Sequence, residues 1–234
     1  MDMLNNDLIE SIVLCFGAQI GKTEAELNMI GFALHQSKAP VMMVYPTDML
    51  AKFNSEKRVQ PMITNTEPLA NMYNENASSK LELNFNTGNY MVLSGANSPS
   101  SLASRAIKYV FFDEVDKYPV FSGKEANPIK LATERTKTFV DAKHVMVSTP
   151  TVENGNIWTA FKQAHAQKEY YVPCPHCGEY QKLVFKQIKW PDEAKGNKDR
   201  IRDTAYYECA HCKKAIHDKH KMDMLRNGEW RTEN

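Results

Sequence analysis

The sequence predicts an α/β fold: a mainly parallel sheet with helices on both faces, followed by a small zinc-binding subdomain. Three observations carry this prediction. Continuous apolar stretches recur between helix-spaced stretches, the pattern of strands buried on both faces. A Gly-Lys-Thr at residues 21–23 follows the first such stretch, and Asp113 with Glu114 ends a later one. Two Cys-x-x-Cys pairs, Cys174/Cys177 and Cys209/Cys212, lie towards the C-terminal end.

The elements follow in order. Residues 11–16 (Ser-Ile-Val-Leu-Cys-Phe) read as a buried strand, and residues 22–36 as the helix after it. Residues 41–45 (Val-Met-Met-Val-Tyr) read as a second buried strand, ended by Pro46. Residues 47–75 carry helical spacing with a break expected near Pro61. Residues 81–85 alternate apolar and polar side chains. Asn86, Thr87, Gly88 and Asn89 supply turn chemistry, and residues 90–93 return as a strand, making a hairpin or two adjacent strands. Residues 107–112 and 145–147 are further buried strands, the latter running into Ser148, Thr149, Pro150 and Thr151. A boundary falls near residues 165–172, so two domains are expected, 1–167 and 168–234. Within the second, residues 191–204 form a polar loop, the least structured part of the chain by this reading.

Composition narrows the function classes. The chain has 234 residues and 42% hydrophobic content, enough for one large core and a small one. Its net charge of +1 gives no whole-chain argument for nucleic acid or membrane binding. Residues 168–234 carry 14 Lys+Arg against 11 Asp+Glu, a mild asymmetry that decides nothing. No run of 18 apolar residues exists, so no membrane span is expected. No basic region followed by an apolar stretch opens the chain, so no secretory signal is read and a cytoplasmic protein is expected.

The chemistry-bearing motifs point to a nucleoside triphosphate. Gly17, Ala18, Gln19, Ile20, Gly21, Lys22 and Thr23 form a candidate phosphate loop. Backbone N–H groups of such a turn, with the positive end of the following helix, bind phosphate. Lys22 would reach the terminal phosphates, and the Thr23 hydroxyl would hold Mg²⁺. The full motif has Gly where Phe16 stands, and Gly17 comes one residue late. A lone Gly-Lys-Thr can also be an ordinary helix start. The apolar run into Asp113 and Glu114 supplies the second half: Asp113 for the Mg²⁺ shell, Glu114 to polarise the attacking water. Gln19 either touches phosphate or shapes the turn. Arg58, Arg105 and Arg135 are candidates for a cation that neutralises transition-state charge, with solvated or paired surface arginines as the alternative. Asp116 and Lys117 read as a surface pair.

The four paired cysteines suit tetrahedral Zn²⁺. The two knuckles stand 31 residues apart, and a closed four-thiolate shell is structural rather than catalytic. A redox role is the alternative reading of each pair. His176 and His211, inside the knuckles, read as exposed loop residues. Trp190 and Trp230 read as the small domain's core, with base stacking as the alternative. Cys15 reads as a small buried hydrophobe.

These segments, in this order, resemble the large terminase subunit of tailed phages, in its lambda-type GpA branch. The resembling stretches are residues 17–24, 101–119, 134–139, 148–151, 172–178, 207–212 and 227–230. The resemblance implies a P-loop NTPase fold of the additional-strand type, in which a deviant phosphate loop is normal. It implies an ATPase that drives viral double-stranded DNA into a procapsid, with ATP, Mg²⁺ and Zn²⁺ as cofactors. Ser148 and Thr149 would be the motif coupling γ-phosphate loss to DNA-gripping parts. The implied partners are double-stranded DNA, a terminase small subunit, a portal protein and further copies of the chain, in the host cytoplasm. Family members have a longer stretch before the phosphate loop and a nuclease domain after the ribbon. Sixteen residues precede Gly17 here and the sequence stops at Asn234, so a shortened ATPase domain without the nuclease is expected. Two other readings stay open: another P-loop DNA translocase such as a helicase, and a catalytically dead prophage remnant that binds DNA or protein at most.

Overall fold

The computed structural model describes residues 2–122 and 126–232. The chain divides into two compact units, Met1–Ala164 and His165–Asn234.

The first unit is built on a seven-stranded sheet with spatial order β1-β7-β6-β2-β5-β4-β3. In chain order the strands are β1 (Ser11–Cys15), β2 (Val41–Tyr45), β3 (Tyr73–Asn74), β4 (Glu82–Phe85), β5 (Tyr90–Gly95), β6 (Tyr109–Asp113) and β7 (Lys143–Ser148). Strands β1, β7, β6, β2 and β5 run parallel, and β4 and β3 extend the sheet antiparallel. The β4–β5 hairpin turns through Gly88 at φ +86°, where a glycine avoids the left-handed strain of a side chain.

The helices are α1 (Lys22–Phe32), α2 (Asp48–Asn54), α3 (Gln60–Asn65), α4 (Glu67–Ala70), α5 (Pro99–Leu102), α6 (Pro128–Thr133) and α7 (Asn156–Gln163). Alternation along the buried strands sorts side chains onto two faces. Val41, Met43 and Phe111 pack with Leu27, Ile30 and Ile63 on one face. Met42, Val44, Val110 and Phe112 pack with Leu102, Ala132 and Ile157 on the other. Both faces are therefore covered, which is why these strands read as continuous apolar runs.

Three local expectations are corrected. Strand β1 lies at the edge of the described sheet, and of its residues only Ile12 is buried. Pro61 does not break the helix. A π turn at Ser55–Val59 precedes it and α3 runs on to Asn65, with the break at extended Thr66. A widened turn accommodates a proline whose ring would crowd the carbonyl four residues back. The polar loop at residues 191–204 contains α8 (Lys198–Thr204), started by the Asn197 side chain accepting from the N–H groups of Asp199 and Arg200.

The second unit holds two three-stranded antiparallel sheets. One is β13-β8-β9, from β8 (Lys168–Pro173), β9 (Tyr180–Lys182) and β13 (Glu229–Thr232). The other is β10-β11-β12, from β10 (Ile188–Lys189), β11 (Tyr206–Glu208) and β12 (Ala215–Ile216). Helix α9 (Lys221–Arg226) precedes β13. The core consists of Val172, Cys174, Cys209, Ile216 and Met224, with Tyr170, Tyr207 and Leu225 against it. Trp190 and Trp230 are not in that core; they are 38% and 50% exposed. Trp230 instead packs on the ring of Tyr170, with centroids 5.1 Å apart.

Candidate nucleotide-binding site and metal centre

The topology brings three segments that are far apart in sequence to one edge of the sheet. Register pairs Cys15 with Ser148, and Asp113 with Val147. The parallel strands β1, β7 and β6 thus end together, and the residues after each of them share the crevice beyond the carboxyl ends, where open α/β sheets bind ligands.

The loop after β1 is exposed from Gly17 to Gly21. Gln19 and Gly21 both adopt left-handed backbone, at φ +58° and +85°. Such turns direct successive N–H groups into an anion-binding concavity. Gly21 is the N-cap of α1, with no side-chain cap, so the first N–H groups of an eleven-residue helix are left for a ligand.

Lys22 reaches back across this crevice. Its Nζ donates to Thr149 Oγ1 at 2.7 Å and lies 3.0 Å from Glu114 Oε1. Glu114 itself sits in left-handed backbone, φ +55° and ψ +48°, in the turn after β6. Its second oxygen is 3.2 Å from Lys117 Nζ. Lys117 therefore pairs with Glu114 and not with Asp116, which corrects the expected surface pair. Asp116 instead accepts from Thr151 N and Oγ1 at 2.9 and 3.1 Å and from Ile157 N at 2.8 Å. It ties the residues after β7 to the start of α7. Gly155 is required there, because a Cβ would lie 2.5 Å from the Asp116 carboxylate.

Asp113 is buried, and its Oδ1 has no hydrogen-bond partner. Burial, reinforced by the neighbouring Glu114 charge, pushes its carboxyl up to about 6, against the pull of Lys22. An orphaned buried carboxylate oxygen at a strand's carboxyl end fits a hard, oxygen-seeking cation. Asp113 and Thr23 are the residues that would hold Mg²⁺. Ser148 is fully buried, and its Oγ accepts from Asp116 N at 3.4 Å.

Glu26 is a residue that the sequence reading missed. It is fully buried in α1, both of its oxygens lack partners, and burial followed by the charges of Asp113 and Glu114 raises its pKa well above the carboxylate range. Its position with Ile30 and Ala33, at helical spacing on the buried face, was the available signal.

The second unit gathers Cys174, Cys177, Cys209 and Cys212, whose Sγ atoms all lie within 4.8 Å of one another. Cys174 and Cys212 are 3.9 Å apart, as are Cys177 and Cys209. Zn–S bonds near 2.3 Å at tetrahedral angles ask for S···S separations of about 3.8 Å, so the cluster fits zinc. Burial works against ionisation of Cys209, but N–H groups of Cys212 and His211 donate to its sulfur and lower its pKa to about 6. His176 and His211 are exposed and outside the thiol cluster, and His176 meets the Ala215 carbonyl.

The family model described as "Phage terminase large subunit gpA, ATPase domain" matches residues 1–230. The terminase large subunit of Enterobacteria phage P21 is 26% identical over 240 residues, covering 100% of this chain and 37% of that protein. The corresponding subunit of Escherichia phage lambda is 23% identical, covering 90% of this chain and 34% of that protein. The chain thus spans just over a third of each relative. Among solved structures, the ATPase domain of the Thermus phage P74-26 large terminase is similar at TM-score 0.53 and 19% identity, covering 74% of this chain and 72% of that one. The HK97 bacteriophage large terminase is similar at TM-score 0.55 and 12% identity, covering 66% and 32%. These structures bear on the fold alone, a mixed α/β fold with a mainly parallel seven-stranded sheet. Among the described residues, no helix is long and apolar enough to cross a membrane.

Proposed function

The chain belongs to the phage terminase large subunit gpA ATPase-domain family, and from that premise we propose that it is the ATP-hydrolysing part of a motor that drives double-stranded DNA into a procapsid. The observation that carries this reading is Lys22 held between Glu114 and Thr149 at the edge where the phosphate loop opens.

Gly17, Ala18, Gln19, Ile20 and Gly21 cradle the phosphates with backbone N–H groups, and Lys22 binds the terminal ones. A triphosphate, which carries more charge than one carboxylate, competes with Glu114 for the Lys22 ammonium. Nucleotide binding draws the ammonium away, and Glu114 is then free to accept a hydrogen bond from the attacking water. Mg²⁺ on Thr23 and Asp113 would neutralise charge on the β- and γ-oxygens. Thr149, released from Lys22, and Ser148 would sense the γ-phosphate and pass its loss along the segment into α7, a reading supported by the hydrogen bonds of Asp116 to Ser148 and Thr151.

We assign residues 1–167 to the ATPase domain and 168–234 to a structural zinc ribbon held by the four cysteines. The partners of this reading are DNA, a terminase small subunit, the portal protein and further copies of the chain, in the host cytoplasm.

The experiment is DNA-stimulated ATP hydrolysis by the purified chain beside a Glu114→Gln control. Turnover that vanishes in the control supports the motor assignment. No turnover by folded, zinc-loaded protein favours the dead remnant. Strand separation of a duplex would point to a helicase-type translocase instead.

A further inference from the structure

The three candidate arginines do not lie at the same edge of the sheet. Arg105 forks onto Glu82 at 2.6 and 2.8 Å and lies over the ring of Tyr90, the first residue of β5. The Arg135 carbonyl accepts from Ile107 N, two residues before β6 begins, and its guanidinium donates to the Ala103 carbonyl at 3.1 Å. Strands β5 and β6 are parallel to β1, so their starting ends lie away from the phosphate loop. Within one chain, neither arginine is at the nucleotide edge.

Arg58 is. Its guanidinium pairs with Glu24, in the first turn of α1 and two residues after Lys22. Its charge acts on the carboxyl of Asp113, which ends β6, and on the hydroxyl of Tyr45, which ends β2. Arg58 sits in the π turn Ser55–Val59, the kind of helix widening that often accompanies a functional position. Its side chain is 37% exposed and that of Glu24 is 67% exposed, so water screens the pair and it is readily exchanged. Lys22 also rests on a carboxylate, that of Glu114, in a less exposed pair. Two cations therefore flank the phosphate loop, each resting on a carboxylate.

We infer that Arg58 is the cation supplied by this chain to the terminal phosphate, exchanging the Glu24 carboxylate for phosphate oxygens when ATP binds. The exchange is favourable because a guanidinium fork matches phosphate geometry and the phosphate carries more charge than one carboxylate. No bond is made or broken in it; Arg58 stabilises charge that spreads over the γ-phosphoryl oxygens during transfer. This inference rests on the ATPase reading of the same site.

The test uses the full zinc-loaded chain, with hydrolysis at saturating Mg-ATP and affinities for ADP and a non-hydrolysable ATP analogue. Arg58→Ala is expected to lower turnover at least about a hundredfold. It should weaken the analogue about tenfold or more while ADP affinity stays within about threefold. Arg58→Lys should recover part of the analogue affinity and little of the turnover, because it keeps the charge and loses the fork. Glu24→Gln should keep turnover within about threefold of the parent, since only the resting partner is removed. Parent-like turnover and analogue affinity in Arg58→Ala would overturn the inference and leave the ATPase reading standing. So would an equal loss in Glu24→Gln, which would make the ion pair a structural strut. A parent that binds nucleotide without turnover still tests the inference through the preference for analogue over ADP. A parent that binds neither overturns both readings.

Discussion

The ammonium of Lys22 lies 3.0 Å from the carboxylate of Glu114, although 92 positions separate them in the chain. One is the cation proposed to meet the terminal phosphates, the other the carboxylate proposed to orient water. Their separate removal should therefore have different signatures. Lys22→Ala is expected to abolish nucleotide binding. Glu114→Gln should keep binding, because the Lys22 ammonium is still present to meet the phosphates, and lose turnover by about a hundredfold or more. Equilibrium binding beside steady-state hydrolysis separates the two, and unchanged hydrolysis in either variant would sink the assignment.

Asp113 and Glu26 set a pH dependence. Burial raises both carboxyls, so in this range the folded protein binds protons more tightly than the unfolded chain. Stability of the nucleotide-free protein therefore falls as pH rises from about 4 through about 6, by on the order of 3 kcal/mol for Asp113. Urea titrations at steps across that window check the slope, and Asp113→Asn should flatten it. Glu26→Leu removes two buried, unpartnered oxygens and should stabilise by about 1–3 kcal/mol near neutral pH. A lower urea midpoint in that variant would mean that Glu26 has a partner.

Asp116 and Lys117 are neighbours with opposite expected costs. Asp116 accepts three hydrogen bonds, one of them from the start of α7. Asp116→Ala should cost about 2 kcal/mol, through the lost acceptor and the unsatisfied N–H groups. Lys117 is 60% exposed in its pair with Glu114, and Lys117→Ala should stay within about 0.5 kcal/mol. Thermal midpoints of the two variants decide this; equal losses would restore the surface pair.

Zinc should hold only the second unit. Its apolar core is small and includes two of the four thiol ligands, so the metal supplies much of its folding free energy. A chelator is expected to release one zinc per chain and erase hydrogen-exchange protection across residues 165–234. Protection in β2, β6 and β7 should survive. Loss of protection in both units together would show that they fold as one.

The sequence by itself determined the fold class, the buried parallel strands of the first unit and the cysteine quartet, and it marked the candidate phosphate loop. These are local signals: continuous apolar runs, turn residues, and thiols two positions apart. Each acts through neighbours along the chain, so each is written in a short window. Only the tertiary structure decided what meets what. The order β1-β7-β6 brings Gly17, Thr149 and Glu114 to one edge, and no window of residues contains that order. The same arrangement pairs Arg58 with Glu24 in the first turn of α1 and takes Arg105 and Arg135 to the opposite ends of the strands. It buries Glu26, gives Asp116 its three donors, and leaves Trp190 and Trp230 outside the small core of the second unit. Charges and buried polar groups respond to whatever lies within a few ångströms, and those neighbours are supplied by folding, not by sequence proximity.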